Sequence, residues 1–343
     1  MRKLLNTLYI TQDQAYLTLQ GETVVIQVEQ QKIGQVPLLN LEGICTFGYA
    51  GVSPSLMGYC AENDIPITFL KRNGRFLARV IGKSRGNVLL RKKQYALSED
   101  ETESAKIARN MIFAKIANQR WQLERVIRDH PMRVEVEKIQ QSIQRMKNTL
   151  PSILTCEDLE SLRGLEGQAA NEYFKCFNEL ILTNEEGFEF KGRSRRPPLD
   201  RTNALLSFVY TLLSNDVAAA LESSGLDAYV GFLHRDRPGR ASLALDMMEE
   251  LRPILADRFV ISLINRKELK ADDFLIKENG AVILTDDARK LLLQKWQQRK
   301  TEQIMHPRLK EKISWGLVPH AQALLLARFL RGDTEEYPPF LWK

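Results

Sequence analysis

The change of secondary structure along this chain falls at residues 98–130, SEDETESAKIARNMIFAKIANQRWQLERVIRDH. Ser98 is followed three residues later by Glu101, which is the spacing of a capping box, where each side chain satisfies a backbone donor of the first turn. Apolar residues then recur at helical spacing at Ile112, Ile116, Leu123 and Ile127. A long helix is therefore predicted from Ser98 to His130-Pro131, because proline does not fit a helix interior.

The pattern stays helical after this point. A second helix is predicted around residues 136–146. Further helices are predicted at 165–182, 201–222, 242–264, 286–303 and 319–331, the last closed by Gly332. The tail at 337–343, YPPFLWK, is too short and too proline-rich to form an element, and it is expected to be mobile.

The first 85 residues have the opposite character. β-rich runs occur at 4–10, 15–19, 23–28, 44–47, 65–70 and 75–81, with a short helical pattern at 53–63. Gly21 and Asn73-Gly74 are predicted to form tight turns, because these residue types adopt a positive φ easily. The predicted fold class is therefore α+β. It has a small β-rich domain at 1–85, a basic linker and helix start at 86–97, and a larger all-helical domain at 98–343.

Composition limits the class of protein. With 343 residues and 44% hydrophobic content, the chain is long enough for two packed cores without disulfides. Cys45, Cys60, Cys156 and Cys176 show no CxxC pairing, which disfavours a zinc ribbon and indicates a reducing cytoplasm. No apolar run reaches the roughly 18 residues of a membrane span, and the N-terminus turns polar too early for a signal peptide. A soluble cytoplasmic protein without membrane association is expected.

The net charge of +6 comes entirely from the first part of the chain. Residues 1–98 contain 12 Lys and Arg against 6 Asp and Glu, which leaves 37 of each for the remainder. Residues 65–98 contain nine basic residues and no acidic one. Such a run is typical of contact with a nucleic-acid backbone, since each neutralised phosphate releases counterions. The alternative is an ordinary solvated hairpin and helix face.

Three acidic residues and one histidine form a candidate metal site. Glu166 is predicted on the apolar face of its helix, where a carboxylate needs a cation, unless it only interacts with the helix dipole. His234 ends an apolar run, a position where a core histidine is the alternative to a ligand. Asp246 and Glu249 share a helix face, or else form a solvated acidic edge with Glu250. Carboxylates suit Mg2+ or Mn2+, and one imidazole favours manganese.

Two arginine clusters lie near these residues in the sequence. Their members are Arg235, Arg237 and Arg240 after His234, and Arg193, Arg195 and Arg196 in KGRSRRPP at 191–198. Both clusters are predicted to contact DNA phosphates without reading bases, the alternative being ordinary surface loops. The chain has neither a GxxxxGK[ST] phosphate loop nor a GxSxG elbow, so neither signature indicates nucleotide or ester hydrolysis.

Three longer segments resemble a known family. RGLEGQAANEYF at 163–174 and GFLHRDRPGRASLALDMMEELRP at 231–253 resemble the two signature blocks of the CRISPR-associated adaptation integrase, the family that inserts new spacers into CRISPR arrays. LLNLEGICTFGYAGVSPSLMGYCAENDIPITFLKRNGRF at 38–76 is similar to the N-terminal β domain of that family. The β-then-helical layout agrees, so the resemblance covers most of the chain.

The resemblance implies a metal-dependent DNA endonuclease and integrase whose helical domain is catalytic. It places the Mg2+ or Mn2+ ligands at Glu166, His234 and Glu249, with Asp246 close to the same cation as a further catalytic residue. Glu249 departs from relatives that have Asp at this position. The implied reaction is phosphodiester transesterification, in which a DNA 3′-hydroxyl attacks in line and the metal acts as a Lewis acid. A protonated imidazole does not coordinate, so activity is expected to be lost at acid pH.

The family also implies partners. They are double-stranded DNA, as prespacer and CRISPR repeat, a second copy of the chain in a homodimer built through the β domain, and a small CRISPR-associated adaptation protein. This small protein bridges two dimers into a heterohexamer-like complex. Two alternatives stay open: a non-catalytic nucleic-acid-binding scaffold with a structural acidic cluster, and a general structure-selective nuclease with no role in integration.

Overall fold

The computed structural model describes residues 6–12, 14–49, 51–72, 74, 76–80, 82, 88–183 and 186–342. The helices are α1 (Pro54–Glu62), α2 (Val88–Glu99), α3 (Glu101–Asp129), α4 (Val136–Leu154), α5 (Leu159–Lys175), α6 (Arg201–Ser223), α7 (Ser242–Met248), α8 (Arg258–Asn265), α9 (Asp286–Thr301) and α10 (Val318–Arg331). The strands are β1 (Thr7–Ile10), β2 (Tyr16–Gln20), β3 (Thr23–Val28), β4 (Gln31–Pro37), β5 (Gly43–Phe47), β6 (Gly51–Val52), β7 (Ile67–Leu70), β8 (Phe76–Val80), β9 (Phe274–Ile276), β10 (Val282–Leu284), β11 (Gln303–Met305) and β12 (Lys312–Ser314).

The described residues divide into two compact units. The first unit comprises Met1–Arg85, Thr285–Gln303 and Ser314–Leu317, and the second comprises Gly86–Leu284, Ile304–Ile313 and Val318–Lys343. The division predicted from the sequence differs from this one in two respects. α9 and Ser314–Leu317 belong to the first unit, and the predicted linker at 86–97 belongs to the second.

Two four-stranded sheets form the first unit. One has the order β1-β5-β7-β8, with β1, β5 and β7 parallel and β8 antiparallel at the edge. The other has the order β4-β3-β2-β6, in which β2 and β3 form a hairpin. Gly21 has a φ of 59°, which confirms the predicted turn. Residue 73 of the second predicted turn lies outside the described residues. Strand β4 was not predicted, because it is mostly polar and exposed.

Helix α9 packs within the first unit. Trp296 is fully buried, the guanidinium of Arg289 lies 5.9 Å over the Phe47 ring, and Lys300 Nζ donates to Thr7 Oγ1 at 3.3 Å. These contacts join residues far apart in the sequence, so no local pattern assigns α9 to the β-rich part of the chain.

The second unit is mostly helical and is built around α3, which packs against α4 and α5. The short pairs β9-β10 and β11-β12 also fall within 98–343, so this range is not all-helical as predicted. Three-residue strands are too short for a periodic signal. Of the described helices, α6 is long and apolar enough to cross a membrane, but 61% of its apolar window is buried inside the protein.

The start of α3 differs from the prediction. Ser98 lies in the last turn of α2, and its hydroxyl donates to the Tyr95 carbonyl at 2.8 Å. Asp100 caps α3 instead and accepts from the Glu103 N–H at 3.0 Å. Aspartate is as good an N-cap as serine, so the helix begins there. Most of the predicted linker at 86–97 is therefore helical.

The helix predicted at 242–264 is interrupted. Helix α7 ends at Met248, and Arg252–Asp257 forms a π-helical segment that leads into α8. Pro253 lies in this segment and has no N–H for a regular helical bond. Such segments are frequent at functional sites.

The tail is packed rather than mobile, so this prediction is wrong. Tyr337 and Phe340 are 1% and 0% exposed. The Tyr337 hydroxyl and the Phe340 N–H donate to the Glu250 carboxylate at 2.6 and 2.9 Å. Asn118 donates to the Phe340 carbonyl at 2.8 Å. Buried side chains thus satisfy the backbone groups of the tail, which other backbone groups would satisfy in a helix or strand.

Candidate active site

Two acidic residues of the candidate site, Glu166 and Glu249, meet at a buried lysine of the second unit. Glu166 lies in the middle of α5, and Glu249 directly follows α7. Lys115 projects from α3 between them. Its Nζ pairs with Glu166 Oε1 and lies 2.7 Å from Glu249 Oε2. The Lys115 and Glu249 side chains are 6% and 4% exposed. These two carboxylates are therefore close enough to share one cation.

Glu249 is ionised in the folded protein. Burial alone would raise its pKa, but the charges of Arg252 and Lys115 hold the pKa of Glu249 at about 2. Arg252 Nη1 lies 2.8 Å from Glu249 Oε1. Oε2 of Glu249 is a buried oxygen that Lys115 approaches as an ion pair without hydrogen-bond geometry. This oxygen keeps lone pairs for another cation.

Asp246 holds the histidine of the site in place. Its carboxylate is fully buried and accepts the N–H groups of Phe232, Leu233 and His234 at 2.6, 2.9 and 3.0 Å. Asp246 Oδ1 also lies 2.5 Å from His234 Nδ1. A carboxylate at Nδ1 leaves Nε2 as the ring nitrogen for a metal, the usual arrangement behind metal-bound histidines. Because both Asp246 oxygens have these partners, the geometry favours a positioning role over direct coordination.

The donor set fits a hard divalent cation, although Lys115 lies between the carboxylates. Within the described ranges, no group of three or more His, Cys, Asp and Glu side chains converges closely enough to hold a metal as the side chains stand. The residues that would hold one are Glu166 and Glu249, which already meet at one cation, together with His234, which adds an imidazole nitrogen. Carboxylates with one imidazole suit Mg2+ or Mn2+.

An aromatic and acidic network fixes Arg252. Its guanidinium lies 5.0 Å from the centroid of the Tyr210 ring. The Tyr210 hydroxyl donates to Asp257 Oδ1 at 2.5 Å, and the Tyr173 hydroxyl donates to Oδ2 at 3.1 Å. Arg252 and Asp257 are the two ends of the π-helical segment. This segment therefore connects the ion pair at Glu249 to the buried Tyr173 of α5 and the half-buried Tyr210 of α6.

His234 lines a cleft rich in arginine. The cleft has a volume of about 300 Å3, and its lining residues are Glu160, Arg163, His234, Arg235, Arg237 and Arg240. Arg163 donates to the Leu233 carbonyl at 3.0 and 2.6 Å, which ties α5 to the residue before His234. Glu160 pairs with both Arg163 and Arg235. One acid among four arginines leaves a positive cleft that suits a phosphate.

The arginines predicted to contact phosphates differ in their exposure and in their partners. Arg235, Arg237 and Arg240 line this cleft, and Arg195 and Arg196 are exposed. Arg193 is turned inward, because its guanidinium donates to Asn203 Oδ1 at 2.6 Å and lies 5.2 Å over the Tyr210 ring. The guanidinium of Arg193 thus has partners within the chain, and its DNA contact stays a prediction.

The family model described as CRISPR associated protein Cas1 matches residues 8–298. The chain belongs to the Cas1 family. "CRISPR-associated endonuclease Cas1 1" from Chlorobaculum tepidum is 48% identical over 343 residues, and "CRISPR-associated endonuclease Cas1 2" from Rhodospirillum rubrum is 51% identical over 347 residues. Both alignments cover 100% of this chain and of the relative. The family resemblance seen in the sequence motifs is thereby confirmed.

Solved structures share the Cas1 fold. A casposase bound to its integration product has a TM-score of 0.82 at 21% identity and covers 98% of this chain and 94% of its own. A Cas1 protein from Thermotoga maritima has a TM-score of 0.79 at 22% identity, with 98% and 100% coverage. At these identities the likeness concerns the fold alone. It agrees with strands in the N-terminal part and helices in the C-terminal part.

The pH dependence of stability in this Cas1-family chain is expected to include a contribution from Asp257. Burial raises the pKa of Asp257 from 3.8 to about 6, although bonds from Tyr210 and Tyr173 act in the opposite direction. The folded state then binds more protons than the unfolded chain between about pH 4 and pH 6, so stability falls as the pH rises through this window. Two pKa units correspond to about 3 kcal/mol.

Asp257→Asn is expected to remove this contribution. The free energy of unfolding of both proteins is measured in urea at several values between about pH 4 and pH 7. The difference between wild type and variant should change by about 3 kcal/mol across the window. A difference that stays constant would show that Asp257 is already ionised in the folded state at the lower pH.

Proposed function

We propose that this Cas1-family protein is a metal-dependent DNA endonuclease and integrase that inserts spacer DNA into a CRISPR array in antiviral defence. The observation that carries the proposal is the meeting of Glu166 and Glu249 at one buried cation, in a unit where His234 lines an arginine-rich cleft. An acidic metal centre beside a phosphate-binding surface suits phosphoryl transfer. The names of the two relatives and the integration product bound to the casposase support the same reaction class.

The chain supplies binding, orientation and charge for this reaction. Bound Mg2+ or Mn2+ would add a Lewis acid at the scissile phosphate. Asp246 keeps the His234 ring oriented, and Arg237 and Arg240 bind non-bridging phosphate oxygens. During integration the oxygen of a DNA 3′-hydroxyl forms a bond to phosphorus while the bond from phosphorus to the target 3′-oxygen breaks. The attacking hydroxyl releases its proton and the leaving oxygen gains one. Water in place of the hydroxyl gives cleavage.

The proposed partners follow from the family. They are double-stranded DNA, a second copy of the chain, and a small CRISPR-associated adaptation protein that joins two dimers into a heterohexamer-like complex. A structure described as a Cas6-RT-Cas1--Cas2 complex supports a CRISPR-associated partner: it covers 100% of this chain and 36% of its own, with a TM-score of 0.82 at 24% identity. The four cysteines are free thiols, which suits the proposed cytoplasmic location.

A strand-transfer assay with Mn2+ tests the proposed enzyme. Glu166→Gln, His234→Ala and Glu249→Gln are each expected to lower the rate of joining by about 100-fold or more, because each removes a metal ligand. Glu103→Gln, an acid at a surface pair with Lys106, is the matched control and should keep the wild-type rate.

Two outcomes of this assay would contradict the proposed integrase function and favour an alternative. Wild-type rates in all three folded ligand variants would favour the non-catalytic scaffold. Cut strands without joined strands would favour the structure-selective nuclease, since joining requires transesterification.

A further inference from the structure

Lys115 occupies an unusual position for a lysine. Its side chain is 6% exposed, yet it lies on a long helix whose other charged residues include exposed surface pairs. Lysine is almost never buried without a counter-charge, because removing an ammonium from water is costly. Glu166 and Glu249 both supply that counter-charge. These same two carboxylates are the proposed metal ligands.

The charges immediately around Glu166 and Glu249 balance without a metal. Two carboxylates, Glu166 and Glu249, face two cations, Lys115 and Arg252. A divalent ion added to this set would leave an excess of two positive charges in a buried place, so one cation has to leave. Removing the buried counter-ions without replacement would be equally unfavourable, since Glu249 is 3% exposed.

Lys115 is better able to move than Arg252. Arg252 pairs with Glu249 and is stacked over the Tyr210 ring at 5.0 Å, and Tyr210 is fixed in turn by Asp257. Among the described residues, the two carboxylates are the only ion-pair partners of the Lys115 ammonium, which lies at the end of a flexible four-carbon stem. Rotation of this stem takes the ammonium out of the position between the carboxylates while α3 stays in place.

We infer that Lys115 is an internal counter-ion that keeps Glu166 and Glu249 together before loading, and that a divalent cation takes its place. This inference rests on the proposed function and adds a competitor for the metal within the same site. The measured free energy of metal binding is then reduced by the free energy needed to separate Lys115 from the two carboxylates. A negatively charged DNA phosphate beside the site gives the displaced ammonium a new partner.

Titration of the purified, DNA-free protein with Mn2+, followed by the electron paramagnetic resonance signal of free Mn2+, tests this inference. Lys115→Met removes the competing charge with little change in side-chain length. It is expected to lower the dissociation constant for Mn2+ by about tenfold or more. The same variant should melt at a lower temperature than wild type without Mn2+, and Mn2+ should raise its melting temperature by more than it raises that of wild type.

Two further variants make the outcome decisive. Lys106→Met, which breaks an exposed pair on the same helix, is expected to leave the Mn2+ dissociation constant unchanged. Lys115→Arg keeps the charge but adds a bulkier, planar head group, and it is expected to weaken Mn2+ binding. A Lys115→Met protein that folds only with Mn2+ also supports the inference. If it folds in neither condition, the Lys115→Arg titration decides.

Failure of the inference can be told apart from failure of the proposed function. If Glu166→Gln loses Mn2+ binding while Lys115→Met binds Mn2+ as wild type does or more weakly, the metal site stands and the displacement of Lys115 is wrong. An unchanged dissociation constant for Lys115→Arg also overturns the inference. If wild type binds no Mn2+, both are wrong.

Discussion

Phe340→Ala is expected to lower the free energy of unfolding by about 3–5 kcal/mol, the usual range for removal of a buried aromatic side chain. The Phe340 ring is 0% exposed and packs edge-on against His306, with ring centroids 5.2 Å apart. The Phe340 ring also stacks with the Trp342 ring, with centroids 6.3 Å apart. The substitution leaves a cavity and weakens the hold on the Phe340 N–H, which donates to Glu250.

Urea unfolding followed by circular dichroism measures this loss. Leu324→Ala on α10 is the control, because that leucine is 43% exposed, and its effect should stay within about 0.5 kcal/mol. A loss below about 1 kcal/mol for Phe340→Ala would contradict a tail that is part of the core.

Asp246→Asn is expected to lower strand transfer by about 10–100-fold and to weaken Mn2+ binding, as changes behind a metal-bound histidine commonly do. An amide has one acceptor oxygen, and its nitrogen is a donor. An amide therefore cannot accept both from the N–H groups of Phe232 and Leu233 and from His234 Nδ1, as the two carboxylate oxygens do. If the amide nitrogen faces the ring, Nδ1 must become the acceptor, and the proton then sits on Nε2.

The rate of strand transfer as a function of Mn2+ concentration separates this effect from a loss of folded protein. Asp227→Asn is a matched control, because Asp227 also accepts two bonds in this region, from the Tyr95 hydroxyl and the Tyr229 N–H, both at 2.8 Å. The control should keep the wild-type Mn2+ dependence. The same result for Asp246→Asn would limit Asp246 to a role in folding.

Local signals predicted much of the helical part. Helix α6 was expected at 201–222 and spans Arg201–Ser223, and α10 was expected at 319–331 and spans Val318–Arg331. The break between α3 and α4 at His130-Pro131 is confirmed. Caps and prolines act within one helical turn, so their effect can be predicted from adjacent residues. The placement of α9 and of the tail could not, because their partners lie far away in the sequence.

The site was predicted less completely. Glu166, His234 and Glu249 were selected by the resemblance of whole motifs, since their spacing alone is not specific. Lys115 was missed, although it follows the buried Ile112 by three residues and therefore lies on the inner face of α3. A lysine on that face needs an acid, but its partner Glu166 is 51 residues away.

Glu249 and Glu250 are joined by one peptide bond but serve different neighbours. Glu249 faces Lys115, and Glu250 accepts bonds from Gln322, Tyr337 and Phe340. A shift of their shared backbone moves both residues, so the packing that holds Glu250 limits where Glu249 can lie. The position of a proposed metal ligand thus depends in part on a tyrosine 87 residues beyond Glu250.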